Sequence, residues 1–143
     1  MITKNYIKER LTEELMKLED KKIVAGVLIK CVKTGNVFLL LRNDTKPLWA
    51  LVSGTIEKDE NVLDGLKREI YEELFIKPDN IQFKYVSREL ISEKNIEFHY
   101  FEGFVEEEFK PTLDSENLNF GWFDKDKLPS PLYSGLIQKI KNI

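Results

Sequence analysis

Apolar residues recur along this chain with two periods, and the places where one gives way to the other mark its elements. Over residues 5–20, Ile7, Leu11, Leu15 and Leu18 fall at helical spacing with charges between them, which predicts an amphipathic helix. From Lys22 the pattern changes. The runs "KIVAGVLIKCV" and "NVFLLLRND" are β-rich, and Lys33-Thr34-Gly35-Asn36 between them reads as a hairpin turn. "LWALVSG" predicts a short third strand that breaks at Gly54. Helical spacing returns over 62–74, where Leu63, Leu66, Ile70 and Leu74 form one stripe, and Asn61 with Asp64 resembles a capping box. Pro78 and Asn80 mark the loop that follows. "IQFKYVSRELI" and "NIEFHYFEGFVEEEF" predict two more strands around the turn "SEKN", the second apolar on both faces and therefore central. "GWFDKDKLP" predicts a short strand leading into a turn, and 132–141 a terminal helix. Alternation of strands and helices gives an α/β fold, a mixed β-sheet sandwiched between helices. The expected division is an N-terminal helix over 1–21, part of or appended to a domain over 22–143.

Composition narrows the class. A chain of 143 residues with 42% hydrophobic and 33% charged positions has the profile of an ordinary globular protein, long enough for one real core. A net charge of −3 gives no broad electrostatic case for a nucleic-acid partner. Basic residues crowd the N-terminus (Lys4, Lys8, Arg10, Lys17), but acids interleave with them and a solvated face is the default reading. The single cysteine, Cys31, excludes an intramolecular disulfide and sits in an apolar run, as a buried inert thiol would. No apolar run has the length of a membrane span and no signal-peptide core opens the chain, so a cytoplasmic protein, monomeric or homodimeric, is expected.

The chemistry concentrates on the 62–74 helix. Glu69, Glu72 and Glu73 stand at i, i+3 and i+4, within one arc of about 100° beside the apolar stripe. Like charges at this spacing destabilise an isolated helix by roughly 0.2–0.5 kcal/mol per pair. A divalent cation turns that repulsion into ligation, and clustered oxygen donors suit Mg²⁺ or Mn²⁺. Arg68 is placed to hold one carboxylate by a bidentate pair. Taken alone, the spacing leaves both a solvated face and a metal site open.

A longer pattern resolves the choice. Gly54, five residues, Glu60, seven residues and then Arg68-Glu69-Ile70-Tyr71-Glu72-Glu73, closed by Ile76, is similar to the signature of the Nudix hydrolases. The resemblance covers most of residues 22–143, in strands before and after the signature, a Trp-containing strand and a C-terminal helix. It implies a Nudix fold and a Mg²⁺-dependent pyrophosphohydrolase that cleaves a nucleoside diphosphate linked to another moiety, by attack of water on phosphorus. It further implies Glu69, Glu72, Glu73 and the backbone carbonyl of Ser53 as metal ligands, Glu69 as first choice of general base, and Glu60 and Arg68 as braces between loop and helix. Glu116, before Trp122, is a candidate base or extra ligand. Phe120 and Trp122 are candidates to stack a nucleobase, with core packing as the alternative. His99, the only histidine, reads as structural.

Four positions in three places depart from the family's pattern. Phe75 stands where glycine usually precedes the closing apolar residue, Val52-Ser53 where Pro-Gly often precedes Gly54, and Asp59 where glycine is common before Glu60. The apolar run Leu74-Phe75-Ile76 suggests that Phe75 takes right-handed or extended geometry and packs its ring. A catalytically silent nucleotide-binding or regulatory module on the same fold is the alternative that these departures support. The short length resembles members that cleave nucleoside triphosphates, so a (d)NTP or modified nucleotide is the expected substrate.

Overall fold

The computed structural model describes residues 4, 7–11 and 21–143. Residues 7–11 are helical, with Ile7 and Leu11 exposed. The rest of the helix expected over 5–20, including Leu15 and Leu18, lies outside the described residues. Among the described residues seven strands follow: β1 (Lys22–Cys31), β2 (Val37–Arg42), β3 (Trp49–Ala50), β4 (Val52–Thr55), β5 (Gln82–Ile91), β6 (Ile96–Val105) and β7 (Asn117–Phe123). Helix α1 (Val62–Leu74) lies between β4 and β5, and α2 (Leu136–Asn142) closes the chain.

All of these strands join one mixed sheet ordered β3-β2-β1-β6-β5, with β4 on β1 and β7 on β2. β6 is central as its two-sided apolar pattern predicts: it runs parallel to β1 over its whole length and antiparallel to β5. The third strand does not break at Gly54. It is interrupted at Leu51, where the chain leaves β2, which pairs with β3, and crosses to β1, which pairs with β4 through Gly54 and Thr55. The loop between hairpin strands turns at Gly35, whose φ of 77° is open to glycine at little steric cost.

Period-2 alternation sends β1 to both faces of the sheet. Ala25, Val27 and Ile29 pack with Phe38, Leu40 and the α1 stripe Leu66, Ile70 and Leu74. Leu28 faces the other way, into a second cluster with Leu39, Tyr100, Leu136 and Ile140 of α2. The sheet is thus sandwiched between α1 and α2. Cys31 is fully buried and its thiol donates to the Glu106 carbonyl, as an inert core cysteine should. Among the described residues, no helix is long and apolar enough to cross a membrane.

His99 is held in a buried network. Its Nε2 lies 2.8 Å from Glu97 and its Nδ1 2.9 Å from the Tyr85 hydroxyl. Glu97 also takes Lys21 at 2.9 Å and Arg88 Nε at 2.7 Å. The Lys21 contact, with His99 and Arg88 assisting, holds the Glu97 carboxyl down to about 2 from an ordinary 4.5. A depressed carboxyl stabilises the fold above its ordinary pKa and loses that contribution as pH falls through its folded value. Glu97→Gln is therefore expected to destabilise by roughly 3 kcal/mol at pH 7, because it strands partly buried cations. The gap between wild type and variant in urea melts should narrow from about pH 4.5 downward. A gap independent of pH would show that the network acts by packing alone.

Candidate active site

Helix α1 begins where Asn61, in extended geometry, accepts the backbone N–H groups of Leu63 and Asp64 through its side-chain oxygen. The loop ahead of it is fastened by one arginine. Arg68 donates Nε to Glu60 Oε2 at 2.8 Å and Nη2 to Glu60 Oε1 at 3.0 Å, a bidentate pair. Its remaining hydrogens reach Glu69 at 3.0 Å, Glu72 at 3.1 Å and the Thr55 carbonyl at 3.1 Å. One side chain thereby ties the end of β4, the loop and three helix or loop carboxylates together. Arg68 and the Glu57 backbone N–H hold the Glu60 carboxyl down to about 2. Glu69 closes over Gly54, where a Cβ would stand 2.2 Å from the Glu69 carboxyl carbon, so a larger residue at 54 would push that side chain aside.

The three glutamates of the helix take different environments. Glu72 is half-exposed and faces solvent beside Arg68. Glu69 is largely covered, and burial raises its pKa against the opposing pull of Arg68. Glu73 is 2% exposed, and burial pushes its carboxyl up to about 8 despite Arg42 at 3.7 Å. Neither Glu73 Oε2 nor Arg42 Nη1 has a hydrogen-bond partner among the described residues.

The end of α1 explains what stands opposite Glu73. Its last carbonyls have no partner inside the helix. The segment before β7 supplies them: Thr112 N–H donates to the Leu74 carbonyl at 3.0 Å and Asp114 N–H to the Glu73 carbonyl at 3.2 Å. Asp114 Oδ1 then accepts the Glu116 N–H and the Asn117 side-chain amide, both at 3.1 Å, folding the loop into a tight turn. Glu73, Asp114 and Glu116 consequently offer carboxylate oxygens that all lie within 4.8 Å of one another. Of the residues expected from sequence, Glu73 and Glu116 are brought together here. Glu69 stands within electrostatic reach of both, and Glu72 lies outside the group.

Two of the substituted glycine positions keep the left-handed backbone that glycine would supply. Asp59 has φ of 72°, and Phe75 has φ of 53° and ψ of 35°, with its N–H donating to the Tyr71 carbonyl. The expectation that Phe75 would be right-handed or extended with a packed ring is therefore overturned. The helix needs a left-handed cap to turn toward Ile76, and the ring stands 59% exposed, 6.3 Å from that of Tyr71. Phe75→Gly should stabilise the protein by about 1 kcal/mol, since it relieves the left-handed strain and sacrifices little burial. A calorimetric melt that moves down instead would show the Tyr71 contact to outweigh the strain.

A cavity of about 340 Å³ lies on the α2 side of the sheet. Val24, Leu51, Ile96, Phe98 and Leu136 give it an apolar lining, and Arg42, Asp44, Ser53, Glu89, Lys94 and Lys139 are among its polar residues. Arg42, which lines the cavity and stands 3.7 Å from Glu73, connects it to the carboxylate group. Phe120 and Trp122 do not line it. Both pack on Phe38, at 6.0 and 5.2 Å between centroids, and Trp122 Nε1 donates to the Phe109 carbonyl. Both are half-buried, and this packing is the alternative stated for them.

Comparison with known proteins bears on this arrangement. The model of the NUDIX domain matches residues 20–141. The chain belongs to the Nudix family. A dihydroneopterin triphosphate diphosphatase of Haemophilus influenzae is 32% identical over 116 residues, 71% of this chain and 73% of that protein. Among solved structures, a Caenorhabditis elegans Ap4A hydrolase in a binary complex superposes with a TM-score of 0.68 at 16% identity, covering 83% of this chain and 93% of that one. The Escherichia coli dihydroneopterin triphosphate pyrophosphohydrolase does so at 0.60 and 22% identity, covering 74% and 84%. These two likenesses establish the fold. The protein is a Nudix hydrolase, acting on phosphoric anhydride bonds.

Within this Nudix domain two residues at the site are not marked by the sequence pattern. Asp114 lies in "TLDSEN", whose Asx-turn chemistry signals a tight turn but not its docking on the helix end. Arg42 closes β2, and nothing in its local pattern distinguishes it from a solvated strand-end cation.

Proposed function

We propose that the protein is a Mg²⁺- or Mn²⁺-dependent pyrophosphohydrolase of triphosphate esters, with a (d)NTP, a modified nucleotide or a pterin triphosphate as substrate. The observation that carries this reading is the Glu73-Asp114-Glu116 group, with a buried and unpartnered Glu73 oxygen. An all-oxygen donor set of this charge suits a hard divalent cation. Glu73, Asp114 and Glu116 would hold it, with Glu69, Glu72 and the Ser53 carbonyl completing the shell. A cation held there would neutralise phosphate oxygens and lower the pKa of a water.

The chain's own residues account for the rest. Glu69, partly desolvated and raised in pKa, is suited to take the proton of the attacking water. Arg68 keeps its carboxylate aimed through the Nη1 contact, and Glu60 keeps Arg68 in place. Arg42, which lines the cavity beside Glu73, is suited to meet a phosphate oxygen. Attack of water on phosphorus breaks one P–O–P bridge and releases diphosphate and a monophosphate ester. The Haemophilus relative's name adds pterin triphosphates to the nucleotides expected from sequence.

The left-handed Phe75 and Asp59 remove two of the reasons for reading the module as silent. A diphosphate-release screen over nucleoside and pterin triphosphates, with Mg²⁺, Mn²⁺ or EDTA, tests the proposal. Turnover that vanishes with EDTA supports it. Binding across the panel without turnover would return the silent module.

A further inference from the structure

Apart from the carboxylate site, three side chains of β5 and β6 form a chain of hydrogen bonds that the phosphate chemistry leaves unused. Period-2 alternation on β6 turns Glu97, His99 and Phe101 to one face of the sheet, where Phe101 packs with the α1 stripe. On β5 the register slips between Tyr85 and Ser87, so Tyr85 lies opposite Phe101 and Arg88 opposite His99. Positions three apart in a regular strand point to opposite faces, and the extra residue of the bulge removes that difference. Tyr85 and Arg88 thereby share the face of the only histidine.

The three groups are joined in line. His99 Nε2 lies 2.8 Å from Glu97 Oε2, and Nδ1 lies 2.9 Å from the Tyr85 hydroxyl. Glu97, paired with Lys21 and Arg88, is an ionised carboxylate and only accepts. It therefore fixes the hydrogen of a neutral imidazole on Nε2, and Nδ1 receives the Tyr85 O–H. Glu97 and His99 are buried, whereas Tyr85 is 50% exposed. Phe101 meets the Tyr85 ring edge-on at 5.2 Å between centroids and steadies it. Two cations around one carboxylate leave the cluster net positive, which favours negative charge gathering on the phenol oxygen. A nucleophile, a base within hydrogen-bond reach and a third group that orients the base are together the parts of an activated nucleophile.

We propose that Tyr85 is a nucleophilic modification site that takes an acyl group from an activated ester, with His99 as its base and Glu97 orienting the imidazole. His99 Nδ1 removes the phenol proton while the phenol oxygen bonds to the acyl carbon. The bond from that carbon to the ester oxygen breaks, and the departing oxygen takes the proton from His99. A tyrosine ester and a free alcohol result, with no change of oxidation state. Tyr71 and Tyr133 supply the comparison within the same molecule. They are 53% and 50% exposed, so exposure alone predicts equal reaction at all three, while the only histidine is bonded to Tyr85.

Timed treatment of the wild-type protein with p-nitrophenyl acetate at pH 8, followed by digestion and mass spectrometry, tests this. Tyr85 should gain its acetyl group about tenfold or more faster than Tyr71 and Tyr133, a modest share of the roughly 10²–10⁴-fold that a positioned base supplies. In urea the three rates should fall within about threefold of one another, since the relay exists only in the fold. His99→Gln, shown to be folded by circular dichroism, should level the rates in the same way. The wild-type comparison stands without any variant. Equal rates at the three tyrosines in folded wild type would overturn the proposal. So would a Tyr85 preference that persists in urea, which belongs to local sequence, or one that survives in folded His99→Gln.

Discussion

Glu73→Gln is expected to raise the stability of the metal-free protein while removing roughly 10²-fold or more of its metal-dependent turnover. The two effects have one cause. Burial pushes the Glu73 carboxyl from 4.5 up to about 8, so the folded state holds a proton there that the unfolded chain has released. For a carboxyl raised on folding, stability is greatest below the unfolded pKa and falls as pH rises across the window from about 4.5 to 8. Glutamine matches the shape of the neutral form and avoids that loss, which amounts to a few kcal/mol. It also removes a ligand charge. Melts at pH 8 should show the variant above wild type without metal and little shifted by Mn²⁺. Wild type should gain about 2.7 kcal/mol at a Mn²⁺ concentration about 100 times its Kd. An equal Mn²⁺ shift in both proteins would move the cation off Glu73.

What the sequence disclosed about this site follows how local each feature is. Helix α1 runs from Val62 to Leu74 as its apolar stripe requires, because Leu66, Ile70 and Leu74 carry both the period and the burial. Arg68, Glu60 and Glu69 are close in sequence, and their spacing alone suffices to place one guanidinium between carboxylates. Asp114 and Arg42 are different. They reach Glu73 through contacts far apart along the chain, made by backbone bonds from the 112–116 loop to the helix end and by the last residue of β2. No periodicity encodes such contacts. Phe75 defies its local pattern for a related reason. Its apolar neighbours suggest burial, yet the backbone turn that α1 needs overrides side-chain preference and leaves the ring in solvent. The Leu51 break is likewise a property of two strands choosing different partners, which a single run of residues does not reveal.

Glu116 separates a working site from an acidic surface loop most sharply. It is exposed, as a surface acid would be, but its loop is tied to the helix end by the Thr112 and Asp114 N–H groups, and its carbonyl accepts the Asn43 N–H at 2.9 Å. These bonds hold its carboxylate within the group that includes Glu73 and Asp114. Glu116→Gln retains the backbone bonds and the side-chain size, so the loop should stay where it is. Loss of a base or ligand charge then predicts a fall in kcat of about 10²–10⁴-fold with a modest change in KM. The pH profile tells the two roles apart. If Glu116 takes the proton, the acid limb of kcat should flatten in the variant, whereas loss of a ligand should be offset by raising the metal concentration. A kcat within twofold of wild type at saturating Mg²⁺ and at limiting Mg²⁺ alike would remove Glu116 from the chemistry. The proton would then be left to Glu69.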